Sequence, residues 1–191
     1  MQRIGLYGGS FDPIHTGHAL VGQAAIEELQ LDRLFYIPAA HSPFKPDLQP
    51  APSEQRLAMI RLALAGRIKC EVDDVEIQRG GTSFTIDTVR YFGLRFPGAK
   101  LFYLIGADNV VNLPKWRSAA ELAGLVEFIV IPRPGDGPVP LPDAFRGQYL
   151  KGFPFGVSSS QLRSRIKAGQ SIENLVLPAV AEFIRNNQLY L

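Results

Sequence analysis

Two histidines, His15 and His18, follow a glycine pair and a serine in the stretch Gly8-Gly9-Ser10-Phe11-Asp12-Pro13-Ile14-His15-Thr16-Gly17-His18. Residues spaced in this way share one face of a helix's first turn. The apolar run Ile4-Gly5-Leu6-Tyr7 precedes the stretch, and a helix-like pattern from Ala19 to Leu29 follows it. That order reads as strand, tight glycine turn and helix N-terminus. Such a helix end offers backbone N–H groups and the positive pole of the macrodipole, a seat for an anion. The glycines let the backbone come close, and Ser10 and Phe11 can present N–H groups to the anion. Two imidazoles beside this seat imply chemistry on phosphate, with ring donors where negative charge builds up on a transferring group. The dinucleotide fingerprint G-x-G-x-x-G and the Walker loop do not occur. The histidine spacing would permit a metal, but no third and fourth ligand lie nearby, so no metal is expected on the protein. Asp12, followed by Pro13, is expected to shape the turn or cap the helix.

The elements that must position these residues alternate along the chain. Arg3 to Gly8 reads as a strand, His15 to Leu29 as a helix, and Leu34 to Ile37 as a second strand stopped by Pro38. A polar, proline-broken loop from Ala39 to Pro52 carries His41 and Lys45, and loops of that length usually bind something. Ser53 is placed to cap a helix bearing Leu57, Ile60 and Leu64. Alternation from Ile68 to Ile77 predicts a third strand that buries the single cysteine, Cys70. A helix over 84–96, a strand over 101–105, short helical pieces at 110–113 and 118–123, and a strand over 126–131 follow. The proline-rich 132–146 stretch reads as a surface loop, and Tyr149 to Phe153 as a short sixth strand. Ser158 and Gln161 form a capping-box pattern for a helix ended by Gly169, and a last helix starts near Pro178.

Strands alternating with helices predict an α/β fold, a Rossmann-like parallel sheet flanked by helices. In such sheets ligands bind at the carboxyl ends of the strands, where 8–18, 38–46, 78–88 and 106–117 all fall. A single domain over residues 1–191 is expected, with its C-terminal helical portion, about 158–191, packed on it. Hydrophobic content of 46% and charged content of 20% are ordinary for a soluble globular chain. The net charge of +2 offers no basic stripe for nucleic acid. No apolar leader or membrane-length segment is present, which leads to a cytoplasmic expectation with no membrane partner. Oligomeric state is not legible: Tyr190, Leu191 and the apolar last helix fit core packing and an interface equally.

Gly9-Ser-Phe-Asp-Pro-Ile-His-Thr-Gly-His18 resembles the G-[ST]-F-D-P-x-H-x-G-H signature of the nucleotidylyltransferase superfamily. Within it, the chain resembles the bacterial nicotinate-nucleotide adenylyltransferases. Glu76 to Thr88 is similar to their E-x-x-R-x-G-x-S-[YF]-T-x-D-T, and Gly106-Ala-Asp108 through Trp116 follows G-x-D…L-x-x-W. Val157 to Arg163 matches I-S-S-T-x-[IL]-R with Ser160 in place of threonine. The loop after the second strand departs from P-x-x-x-P-P-H-[KR]: Lys45 is kept, Phe44 stands where histidine is usual, and His41 lies earlier.

The resemblance implies transfer of AMP from ATP to nicotinate mononucleotide, giving deamido-NAD and pyrophosphate in NAD biosynthesis. It implies that His15 and His18 are the catalytic residues, in contact with the triphosphate, and His18 at the α-phosphate. Gly9, Ser10, Phe11, Lys45, Gly106, Asp108, Ser159, Ser160 and Arg163 would complete the ATP site. Thr85, Asp108 and Trp116 would hold nicotinate mononucleotide, Trp116 by stacking on the pyridine ring and Thr85 at the carboxylate. Mg²⁺ would be carried by the ATP phosphates and water. Nicotinamide mononucleotide or phosphopantetheine as acceptor, and a non-catalytic nucleotide-binding module, are the rival readings.

Overall fold

Four near-continuous apolar runs form the middle of the fold, because a strand covered on both faces has no polar side to keep. The computed structural model describes residues 1–43, 49–132, 135, 137, 139–153 and 155–191. Its strands are β1 (Arg3–Gly9), β2 (Arg33–Pro38), β3 (Cys70–Val72), β4 (Lys100–Gly106), β5 (Val126–Ile131) and β6 (Gly147–Tyr149). They pair in parallel throughout, in the order β3-β2-β1-β4-β5-β6. The helices are α1 (Thr16–Glu28), α2 (Ser53–Leu64), α3 (Val75–Arg79), α4 (Thr85–Arg95), α5 (Ala119–Leu125), α6 (Ser159–Lys167) and α7 (Pro178–Asn186). A 3₁₀ helix spans Ala107–Lys115. This is the Rossmann-like sheet flanked by helices that the alternation predicts.

The pleat sorts side chains into two cores. Tyr7, Leu34, Tyr36, Phe102, Leu104 and Ile129 face one side, covered by α1, α2, α6 and α7 through Ala25, Met59, Ile60, Leu162, Val180 and Ile184. Their sequence neighbours Leu6, Phe35, Ile37, Tyr103, Phe128 and Val130 face the other side, covered by α4, the 3₁₀ helix and α5. The apolar side chains of the two last helices thus belong to the same core as the sheet. β1 lies between β2 and β4, where the strand order reverses, and the crevice at that reversal is where α/β sheets take ligands.

Three expectations change. The third strand is Cys70–Val72 alone, with Cys70 only half-buried and Ile68 fully exposed. The Asp73 carboxylate accepts the Val75 N–H, which ends the strand and turns the chain into α3. Ser53 is the first residue of α2 rather than its cap. Its hydroxyl instead accepts a bond from Arg56. The sixth strand sits earlier than expected, because residues 147–149 are the ones in register with Phe128 to Val130.

Phe92, fully buried on α4, packs at 4.9 Å from Phe35 of β2. Truncation at such a site removes the ring's transfer energy and leaves a cavity, so Phe92→Ala is expected to destabilise the fold by about 3–5 kcal/mol in urea unfolding.

Candidate functional site

The glycine turn leaves β1 beside α1 and is held from three sides. From α2 comes Arg56, 1% exposed, whose guanidinium donates to the carbonyls of Ala51 (3.0 Å) and Ser10 (2.9 Å) and to the Ser53 hydroxyl (3.1 Å). From α6 come Ser159, whose hydroxyl donates to the Pro13 carbonyl at 2.9 Å, and Arg163, whose Nη1 donates to the Asp12 carbonyl at 2.7 Å. From the chain's end comes Tyr190, whose hydroxyl donates to Asp12 Oδ1 at 2.7 Å. The same oxygen accepts the Ala51 N–H at 3.0 Å, and Arg163 lies 3.6 Å from Oδ2. Asp12, 1% exposed, therefore organises the turn across the fold, and it does not cap α1. The Asp12–Pro13 peptide is cis.

The two histidines stand at the start of α1, His15 as the residue before its first turn. Their rings lie against each other at a tilt of 31°, with centroids 3.8 Å apart. His18 Nδ1 accepts the backbone N–H of His15 at 3.1 Å, so the neutral ring carries its proton on Nε2 and donates from there. Nδ1 of His15 is buried and has no hydrogen-bond partner among the described residues. Burial holds His15 down at about 4, and burial together with the neighbouring His15 holds His18 well below the usual imidazole range. At neutral pH both rings are neutral donors. No acidic residue occupies the first turn of α1 to compete for its positive pole. Gly17 leaves room for the His15 ring: a Cβ there would lie 2.8 Å from Phe155 and 3.0 Å from that ring.

A second group gathers around Tyr103 of β4. A Cβ on Gly8 would lie 2.5 Å from the Tyr103 hydroxyl, so the β1 turn and this cluster meet only through a glycine. The Thr85 hydroxyl, at the first residue of α4, donates to that hydroxyl at 3.3 Å. Trp116 packs edge-on to Tyr103 and Phe128 at centroid distances of 6.3 and 6.1 Å and is only partly buried. Beneath the loop before α4, the buried Glu76 carboxyl accepts the Thr88 hydroxyl at 2.6 Å and is bonded by Ser83. Burial pushes its pKa up. Ser83 Oγ in turn accepts the Ala40 N–H at 2.9 Å, and the Ser83 N–H reaches the His41 carbonyl at 2.9 Å. His41 is thus tied to the loop by its backbone, with an exposed side chain.

Gly106 and Asp108 follow β4, and a Cβ on Gly106 would meet the Asp108 carboxylate at 2.5 Å. Asp108 is exposed at the rim. Ser158 caps α6 with Gln161 as its capping-box partner, and its hydroxyl lies 3.0 Å from that of Ser160. The structure thus gathers Gly9, Ser10, Phe11, His15, His18, Ser159 and Arg163 at one turn, with Thr85 and Trp116 beyond Tyr103. Phe44 and Lys45 lie outside the described residues. Among the described residues no group of three His, Cys, Asp or Glu could hold a metal ion. The donors around the turn are N–H groups, hydroxyls and a guanidinium, which match phosphate oxygens rather than a bare cation. No helix among the described residues is long and apolar enough to cross a membrane. Sequence reading missed Arg56, Tyr103 and Tyr190; an arginine amid the apolar positions of α2 was the one available signal.

The cytidylyltransferase-like family model matches residues 6–165. The chain is 43% identical to a probable nicotinate-nucleotide adenylyltransferase of Opitutus terrae, over 99% of this chain and 98% of that one. It is 38% identical to a protein of the same description from Shouchella clausii, over 100% and 97%. Among solved structures, Plasmodium falciparum nicotinic acid mononucleotide adenylyltransferase complexed with NaAD is similar in fold, with a TM-score of 0.82 at 20% identity over 100% and 98% of the two chains.

The depressed histidines make stability depend on pH. Unfolded imidazoles bind protons near pH 6.5 and the folded His15 only near 4, so unfolding takes up protons as pH falls through that window. Their contribution is intact above about pH 6.5 and is lost toward pH 4. Between pH 6.5 and 5 the protein is expected to lose about 1.5 kcal/mol more stability than its His15→Asn variant, read from urea unfolding at each pH.

Proposed function

The chain belongs to the cytidylyltransferase-like family, and within it to the nicotinate-nucleotide adenylyltransferases; from that premise we infer that it transfers the adenylyl group of ATP to nicotinate mononucleotide. The products are deamido-NAD and pyrophosphate, a step of NAD biosynthesis. A phosphate oxygen of the mononucleotide attacks the α-phosphorus of ATP. The new P–O bond forms as the bond to the β-phosphate oxygen breaks, and pyrophosphate leaves with that electron pair. The attacking phosphate is already anionic, so no side chain has to remove a proton from it. Catalysis is then positioning and charge stabilisation.

The observation that carries this reading is the meeting of the start of α6 with the histidine turn, through Ser159 on Pro13 and Arg163 on Asp12. A triphosphate seated there has neutral N–H donors at one end and a fixed guanidinium at the other. His18, donating from Nε2, faces the α-phosphate, with His15 beside it. Gly9, Ser10 and Phe11 supply close backbone, and Ser159, Ser160 and Arg163 take the β- and γ-phosphates. Gly106 and Asp108 serve a ribose hydroxyl, and Lys45 adds a further cation for phosphate. A polyanion arriving at the paired imidazoles opposes the burial that keeps them neutral, so each ring gains basicity as the substrate docks. Mg²⁺, when carried in by the ATP phosphates, would supply charge neutralisation, with no carboxylate cluster among the described residues to hold it. For the acceptor, Trp116 stacks on the pyridine ring and Thr85 receives its carboxylate at the N-terminus of α4, where the helix dipole favours an anion. Residues 1–191 work here as one domain, in the cytoplasm, without nucleic acid or membrane.

Pyrophosphate release with ATP and each mononucleotide separately tests the assignment. Turnover is expected with nicotinate mononucleotide; comparable turnover with the nicotinamide form overturns the acceptor, and none with either overturns the reaction. His18→Ala is expected to lower kcat by about 10²–10³ while the protein stays folded, and a near-normal kcat would remove His18 from the α-phosphate.

A further inference from the structure

Tyr190, the last residue but one, has an unusual backbone conformation and a distant partner. Tyr190 follows α7 after a short return in which the Gln188 and Leu189 N–H groups bond back to Arg185 and Ile184. Leu189 is buried in the core, and the terminal Leu191 is 78% exposed. Tyr190 adopts φ +66°, left-handed backbone that a residue with a large side chain takes up only when its surroundings impose it. What that backbone achieves is the 2.7 Å hydrogen bond from its hydroxyl to Asp12 Oδ1.

The bond spans the chain from its end to the turn that follows β1. Asp12 has few ways to compensate for its loss, being 1% exposed and held by Ala51, Tyr190 and Arg163. Arg163 contacts Asp12 twice, at the backbone carbonyl and, more loosely, at Oδ2. The side chain of Arg163 is 23% exposed, so part of its guanidinium stays open for a phosphate. We propose that Tyr190 is a positioning residue for ATP, fixing the Asp12 carboxylate so that Arg163 is held at the phosphate end of the site. Burial and the neighbouring carboxylate both push the Tyr190 phenol up, so it stays protonated and continues to donate. The proposal rests on the ATP site described above, and it concerns ATP alone: Thr85 and Trp116 belong to the cluster around Tyr103, whose side chain faces the other core.

Tyr190→Phe keeps the ring and removes only the donor. Its KM and calorimetric Kd for ATP are expected to rise about tenfold, the scale of one hydrogen bond to a charged group, while KM for nicotinate mononucleotide stays within about twofold. Added to Arg163→Ala, it is expected to cause no further loss of ATP affinity, because the route runs through that arginine. Leu191→Ala, which changes the exposed neighbouring residue and leaves the hydroxyl, is expected to match the wild type. Unchanged ATP affinity in Tyr190→Phe overturns the proposal, as does an effect that adds in full to Arg163→Ala, or an equal loss in Leu191→Ala. If the wild type makes no dinucleotide, the reaction above fails; weakened ATP binding in Tyr190→Phe would then still support the positioning role.

Discussion

A buried carboxylate must be paired, because the penalty for leaving it unmatched in a low-dielectric interior exceeds the stabilisation from any single hydrogen bond elsewhere. Asp12 meets that demand with partners separated from it by 39, 151 and 178 positions in sequence: the Ala51 N–H and the Tyr190 hydroxyl bond its carboxylate, and Arg163, bonded to its backbone carbonyl, lies 3.6 Å from Oδ2. Satisfying one side chain therefore pins the loop before α2, the start of α6 and the C-terminus to the same turn. Arg56 adds a fourth tie from below, through the Ser10 carbonyl. A guanidinium this deeply buried is tolerable because three oxygens accept from it and because Asp12 lies near enough to offset the desolvation that lowers its pKa. The rigidity of the turn is thus a consequence of matching buried charges across the fold.

The parts of the fold set by local pattern were legible in the sequence. Apolar runs bounded by glycine and proline gave the central strands, and the Ser158–Gln161 capping box gave the start of α6. What failed did so for identifiable reasons. Alternation from Ile68 to Ile77 records side-chain polarity and is blind to the Asp73 carboxylate bonding the Val75 N–H, which closes a helix turn. Ser53 has the right type for a cap, yet its hydroxyl serves Arg56. The glycine turn and the start of α6, which the structure brings together, were legible because each is a short, local pattern. Tyr190 was open to core and interface readings alike, since only tertiary closure brings it to Asp12. Arg56 and Tyr103 act through partners far along the chain in the same way.

The 76–88 stretch shows how a spaced motif can have a packing cause. Glu76 and Thr88 lie at opposite ends of it and are joined by a 2.6 Å hydrogen bond, with Ser83 bonded to the same carboxyl from between. The bond clamps the base of the loop, so the loop enters α4 at a fixed angle with Thr85 at its first position. Ser83 then passes the constraint to Ala40 and His41 beyond β2. Glu76, Ser83 and Thr88, three of its distinctive residues, thus hold one another.

The two histidines complete the division of labour at the turn. A pair of lysines in the same place would be charged in the free protein and would need buried counter-ions there. Adjacent imidazoles avoid this by remaining neutral, which burial enforces for both and mutual proximity reinforces for His18. Neutrality leaves each ring a single donor nitrogen, so the choice of nitrogen matters. For His18 the choice is made by the first turn of α1, whose opening N–H occupies Nδ1 and leaves the proton on Nε2. Of the two guanidiniums at the turn, Arg56 is buried beneath it and Arg163, beside Asp12, is the partly exposed one, while the neutral donors are set by the helix they begin. Anion attraction and donor direction are thereby controlled by different parts of the fold, and either can be altered while the other is kept.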